Sequence, residues 1–132
     1  MEDSGKLFVF GDGQLLVRAG GLEPAGAEAL AELNKTRAAL DDFIVQPQGI
    51  RAVGVSGAAE DPPAGCEWTR LRTLLGAEAP HAATACRALG LLNWRAAHRF
   101  CGACGGPLAD HATETARTCA ACGRTEYPSL AP

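Results

Sequence analysis

The chemistry this chain can offer is concentrated in its cysteines, and spacing pairs four of its six. Cys101-Gly102-Ala103-Cys104 and Cys119-Ala120-Ala121-Cys122 are two Cys-x-x-Cys pairs with fourteen residues between them, each followed by a glycine, Gly105 or Gly123. A thiolate pair at this spacing can bend around one metal ion in a tight knuckle. The glycine lets the backbone take positive φ and aim N–H groups at the sulfurs. Two knuckles supply four thiolates, the tetrahedral set a structural Zn2+ prefers, at about 2.3 Å and with no open position for catalysis. Cys101, Cys104, Cys119 and Cys122 are therefore the expected metal ligands. Four sulfurs suffice, so His98 and His111 are read as surface or packing histidines.

Other uses of the cysteines fit less well. A disulfide framework would suit a secreted protein, but residues 1–13 lack a basic start, an apolar core and a cleavage site. A thioredoxin-like dithiol needs one Cys-x-x-Cys opening a helix after a strand, which two glycine-rich copies do not resemble. Cys66 and Cys86 stand outside the knuckles and read as small buried hydrophobes. Six cysteines without a secretory signal point to a reducing, cytoplasmic compartment.

The remaining candidates have structural readings. Gly11 and Gly13 could cradle a phosphate, but no Lys-Ser/Thr follows and no helix opens there, so they read as a turn. Glu28 and Glu32 lie four apart and read as a solvated helix face rather than an acid/base pair. Trp68 and Trp94 read as core anchors rather than ligand platforms. The net charge of −3 gives no general attraction for nucleic acid or anionic membrane, and no apolar run reaches the ~20 residues that span a bilayer.

The elements that must position the knuckles read as α+β: a small mixed sheet and helix domain over residues 1–98, then a zinc ribbon over 99–127. Leu7–Phe10 and Gln14–Val17 flank Gly11-Asp12-Gly13 as a β-hairpin. Pro24 to Leu40 is expected to be helical, with Leu30, Leu33 and Leu40 inward. Asp41–Val45 and Ile50–Val55 read as strands about a Pro47-Gln48-Gly49 turn, and Ser56–Gly65 as a loop. Glu67–Leu75 is expected to be a helix carrying Trp68, Leu71, Leu74 and Leu75, stopped by Gly76. A third helix is expected from Pro80 to His98, with Ala85, Leu89, Leu92 and Ala96 as its stripe, widened by Leu91 and Trp94. Thr125–Tyr127 reads as a last strand before Pro128.

Taken together, Trp94-x3-His98-Arg99-Phe100-Cys101-x2-Cys104-Gly105, Cys119-x2-Cys122-Gly123 and Tyr127-Pro128 resemble the linker and zinc ribbon of the NADH pyrophosphatases, a family of Nudix hydrolases. Trp68-x2-Leu71-Arg72-x-Leu74-Leu75 and the alanine-rich segment after it resemble that family's N-terminal domain. The resemblance is specific over about residues 67–128 and looser before. It implies that Cys101, Cys104, Cys119 and Cys122 match the family's zinc ligands, and that residues 128–132 begin the linker to a Nudix domain. Where the family has Arg after Tyr-Pro and an Asp shortly beyond, this chain has Ser129 and Ala131.

By that resemblance the parent reaction splits NAD(H) with water into NMN(H) and AMP, and some members remove NAD caps from RNA. The engine is a Gly-x5-Glu-x7-Arg-Glu-x2-Glu-Glu box whose carboxylates hold Mg2+ or Mn2+. Nothing in this sequence matches that box. The expectation is therefore a structural, zinc-binding and dimerising region, a homodimer by resemblance, not catalytic alone and meeting NAD(H) only with a Nudix domain. The alternative is a standalone zinc-ribbon module that binds a protein. Nucleic acid is disfavoured: between Arg99 and Tyr127 the bases Arg99, Arg117 and Arg124 are balanced by Asp110, Glu114 and Glu126.

Overall fold

A computed structural model describes residues 6–46 and 48–128. The expected Pro47 turn position, Ser129, Ala131 and nearly all of the expected linker lie outside the described residues. Cα packing divides the chain into residues 1–89 and 90–132, with the boundary inside one helix.

The first unit is built on a hairpin. Strands β1 (Leu7–Gly11) and β2 (Gln14–Arg18) pair antiparallel about Asp12-Gly13, both at positive φ (50° and 76°), as a two-residue hairpin turn requires. β3 (Ala39–Val45) and β4 (Ile50–Val55) form a second antiparallel pair, and β4 lies parallel to β1. With β5 (Cys66–Arg70) the sheet order is β3-β4-β1-β2-β5. Alternation sorts the central strands. Val9, Leu16, Val53 and Val55 face helix α1 (Ala27–Asn34) and pack with its Ala29, Leu30 and Leu33. Phe8, Phe10, Leu15 and Val17 are buried on the opposite face, where His81 meets the Phe8 ring at 6.0 Å between centroids.

Three helix expectations need correction. The first helix covers only Ala27–Asn34. Pro24 instead bridges Val17, and the Ala25 N–H donates to the Leu16 carbonyl at 3.0 Å, so the chain is still sheet-bound there. At the other end the Arg37 guanidinium donates to the carbonyls of Ser56, Ala58 and Glu60, and the Ala38 N–H to Ser56 Oγ, which turns the chain into β3. Leu40 lies on that strand and is exposed.

The expected Glu67–Leu75 helix is instead strand β5 followed by the short helix α2 (Leu71–Gly76). The free edge of β2 claims this segment, pairing Leu16 with Trp68. Of the expected inward residues Leu74 is fully buried, whereas Leu75 is exposed. Helix α3 (Ala82–Ala97) begins later than expected, and its buried seam is Ala82, Ala85, Ala88, Leu91, Leu92 and Trp94. Ala96 is exposed and Leu89 half-buried, so the true stripe is rotated toward Ala88.

The second unit holds the last turns of α3 and a three-stranded antiparallel sheet. β6 (Leu108–Asp110), β7 (Arg117–Cys119) and β8 (Thr125–Glu126) run in the order β6-β7-β8. The chain as described is α+β, with a mixed sheet and a ribbon of the zinc-ribbon type.

Candidate metal centre

The two Cys-x-x-Cys segments fold into the same turn. In each, the N–H of the following glycine donates to the first cysteine's carbonyl: Gly105 to Cys101 at 2.9 Å, Gly123 to Cys119 at 2.8 Å. In each, the first cysteine's N–H donates to the residue five on: Cys101 to Gly106 at 2.7 Å, Cys119 to Arg124 at 2.8 Å. Gly105 and Gly123 carry φ of 78° and 79°, the left-handed region where a Cβ would be strained. The repeat explains the sequence spacing: each glycine closes a knuckle that turns both its cysteines inward.

The four sulfurs meet. All Sγ atoms lie within 4.8 Å of one another, with Cys104–Cys119 at 3.4 Å and Cys101–Cys122 at 3.7 Å. A tetrahedron with bonds of about 2.3 Å has edges of about 3.8 Å, so the donor set fits one zinc-sized ion. Backbone donors complete the fit, the Ala103 N–H reaching Cys101 Sγ and the Gly106 N–H Cys104 Sγ, each at 3.4 Å. Gly106 has a further reason to lack a side chain. A Cβ there would stand 3.2 Å from the Ala121 methyl and 3.4 Å from the sulfurs of Cys104 and Cys119.

Electrostatics inside the cluster are uneven. The N–H of Cys122 and the neighbouring sulfurs bring the Cys119 thiol down to about 7, and the Cys104 and Ala103 N–H groups lower Cys101. On Cys104 the Gly106 N–H pulls downward, but the Cys119 and Cys122 sulfurs outweigh it and push the thiol up to about 12. Like charges this close cannot all ionise without a cation among them. A divalent ion would remove that conflict and let all four act as thiolates.

Side chains around the knuckles hold the ribbon in register. Arg95, in the last turn of α3, makes a bidentate pair with Asp110 on β6 at 2.8 and 3.0 Å. Arg117 on β7 reaches the same carboxylate at 3.3 Å and donates to the His98 carbonyl at 3.1 Å. Glu126 on β8 accepts the Gly102 N–H at 3.0 Å, tying the last strand to the first knuckle. Sequence reasoning missed these supports. They join residues on different elements that no local sequence pattern pairs.

The other candidates lie elsewhere. His98 stacks on Trp94 at 4.9 Å, with Nδ1 2.9 Å from the Trp94 carbonyl, and His111 Nδ1 accepts the N–H groups of Thr113 and Glu114. Trp94 is buried. Cys66 and Cys86 are half-buried and apart from the cluster. Glu32 pairs with Lys35 on the exposed side of α1, and Gly13 lies in the hairpin turn that follows Gly11. Among the described residues the four cysteines are the one group of three or more His, Cys, Asp or Glu side chains close enough to share an ion.

Comparison with known proteins agrees with this geometry. Residues 96–127 match the family model for the NADH pyrophosphatase zinc ribbon domain. A protein of Deinococcus radiodurans named NAD-capped RNA hydrolase NudC is 32% identical over 126 residues, covering 95% of this chain and 42% of that protein. Proteins of the same name from Chromobacterium violaceum and Stutzerimonas stutzeri are 40% identical over 67 residues and 51% over 39. Those matches cover 50% and 30% of this chain, and 25% and 14% of the two relatives. The chain thus spans less than half the length of these relatives.

Proposed function

We propose, for a chain that belongs with the NADH pyrophosphatases, that Cys101, Cys104, Cys119 and Cys122 hold one structural Zn2+ and that the region serves architecture rather than chemistry. Residues 1–98 act as the N-terminal domain, 99–127 as the zinc ribbon, and 128–132 as the start of the connection to a Nudix domain. The protein it serves hydrolyses NAD(H) to NMN(H) and AMP, the chemistry to which the relatives' name, NAD-capped RNA hydrolase, is closest. Mg2+ or Mn2+ belongs to that further domain. The region also contributes to a homodimer, and the setting is cytoplasmic.

The observation that carries this reading is the convergence of four thiols from two like knuckles within 4.8 Å. The zinc supplies cohesion, because some thirty residues with few large apolar side chains cannot offset their chain entropy unaided. Metal binding of about 10–16 kcal/mol at such sites can. Elemental analysis of protein purified without chelator is expected to give one zinc per chain. Absence of zinc together with two disulfides would sink the metal assignment, and a monomer at all concentrations in sedimentation would remove the dimer.

A second reading, a ribbon that binds a protein partner, is favoured by two exposed aromatic side chains on this unit, Phe100 and Tyr127. A reading frame running past Pro132 into a Nudix box selects the first reading, and a stop codon the second.

A further inference from the structure

The four cysteines differ in exposure in a regular way. Cys104 and Cys122, the second cysteine of each knuckle, are exposed, whereas Cys101 and Cys119, the first of each, are buried. Within a cluster whose sulfurs all lie within 4.8 Å of one another, contacts of 3.4 and 3.7 Å join each exposed cysteine to the buried cysteine of the opposite knuckle, Cys104 to Cys119 and Cys122 to Cys101. In the first knuckle, the N–H groups of Ala103 and Gly106 donate separately to Cys101 and Cys104. An oxidant arriving from solvent therefore meets the exposed cysteine of each knuckle first, with a sulfur of the opposite knuckle in contact behind it.

We infer that the centre is a redox latch that peroxide closes across its knuckles, releasing the metal and leaving Cys104–Cys119 and Cys101–Cys122 disulfides. The inference rests on the zinc assignment above. An exposed thiolate attacks the O–O bond of hydrogen peroxide: an S–O bond forms, the O–O bond breaks, and hydroxide leaves behind a sulfenic acid. The buried thiolate opposite then attacks that sulfur: an S–S bond forms, the S–O bond breaks, and a second hydroxide leaves. Two thiolates thus give two electrons to one peroxide, and two peroxides empty the site. The metal leaves as a free divalent cation because a disulfide sulfur is a poor ligand. Cross-knuckle closure keeps the two halves of the ribbon joined, so a dithiol reductant and zinc restore the starting state.

The sequence offers a clean readout. Trypsin cuts after Arg99, Arg117 and Arg124, placing Cys101 and Cys104 in one peptide and Cys119 and Cys122 in the next. The full chain, its zinc content measured first, is titrated with hydrogen peroxide while a chromogenic chelator follows zinc. It is then alkylated and digested without reduction for mass spectrometry. The expected result is zinc release complete near two equivalents of peroxide, with the two peptides linked and fragmentation pairing Cys104 with Cys119. Separate peptides, each lighter by two hydrogens, would mean closure within knuckles and overturn the inference. So would sulfinic acid formation without linkage, or capture of Cys66 or Cys86. If the purified chain carries no zinc, the metal assignment fails by itself, and the same mapping on the reduced metal-free chain still decides the pairing. A Cys104→Ser variant is expected to retain only the Cys101–Cys122 link; a Cys101–Cys119 link there would also overturn it.

Discussion

Asp42 and Arg51 form a bidentate pair across β3 and β4, at 2.9 and 2.6 Å, with both side chains nearly half exposed. The guanidinium hydrogen bonds hold the Asp42 carboxyl below its ordinary range. A carboxyl depressed in the folded state adds stability above its unfolded value near 4, and that contribution fades as pH falls through the lower folded value. Water screens so exposed a pair, so its worth is at most about 1 kcal/mol. Asp42→Asn is expected to lower denaturant-measured stability by less than that at pH 7, with the gap from the parent chain closing below about pH 4. A gap that stayed constant down to pH 2 would assign the effect to packing instead. The same scale sets what the sequence could reveal. Four cysteines at fixed spacing are legible because the knuckle is a local turn. His81, buried beside Phe8 with its Nε2 meeting no hydrogen-bond partner among the described residues, was not legible, because nothing nearby in sequence marks it as interior.

The elements read correctly where local pattern and tertiary demand agree, and misread where a distant edge decides. Leu7–Val17 has turn residues between apolar runs, and it is a hairpin. Glu67–Leu75 carries helical spacing, yet β2 has an edge that the first residues of this segment fill, and Trp68 has a place waiting on β1. That place is Gly11. A Cβ built there would stand 2.8 Å from Trp68 Cη2, so the missing side chain on β1 is the seat of the indole. The ring is fixed from both sides, by Nε1–H donation to the Glu60 carbonyl at 3.3 Å and by the Arg37 guanidinium 5.5 Å from its centroid. It has little freedom to yield. Gly11→Ala is expected to destabilise the first unit by about 1–3 kcal/mol, the usual cost of overfilling a packed site. The check is urea unfolding followed by tryptophan fluorescence, with Gly13→Ala as a control whose penalty arises from positive φ rather than contact. No loss for Gly11→Ala would mean that β5 sits more loosely on β2 than its register implies.

At the scale of the whole molecule, the two units depend on different sources of cohesion. Residues 1–89 bury Phe8, Leu15, Leu16, Ile50 and Leu74 completely, whereas the ribbon's buried side chains are Cys101, Ala116 and Cys119. A strong chelator is therefore expected to unfold the ribbon while most far-UV dichroism remains, and complete loss of signal would reveal one cooperative unit. Catalysis calls for a different kind of centre. Splitting a pyrophosphate at neutral pH needs a metal-activated water and a metal bridge to the phosphoryl oxygens. The hard cations that supply both want several clustered carboxylates. Here Glu28 and Glu32 sit on the exposed side of α1, and Asp42 is committed to Arg51. Asp110 is held by Arg95 and Arg117, and Glu126 by Gly102. A zinc bound by four thiolates keeps no position for water. The 132-residue chain, incubated with NADH and Mg2+ or Mn2+, is thus expected to release no AMP. Turnover that follows the chain through purification and disappears when one of its own acids is replaced would overturn the architectural reading, because it would require a carboxylate centre that these residues do not form.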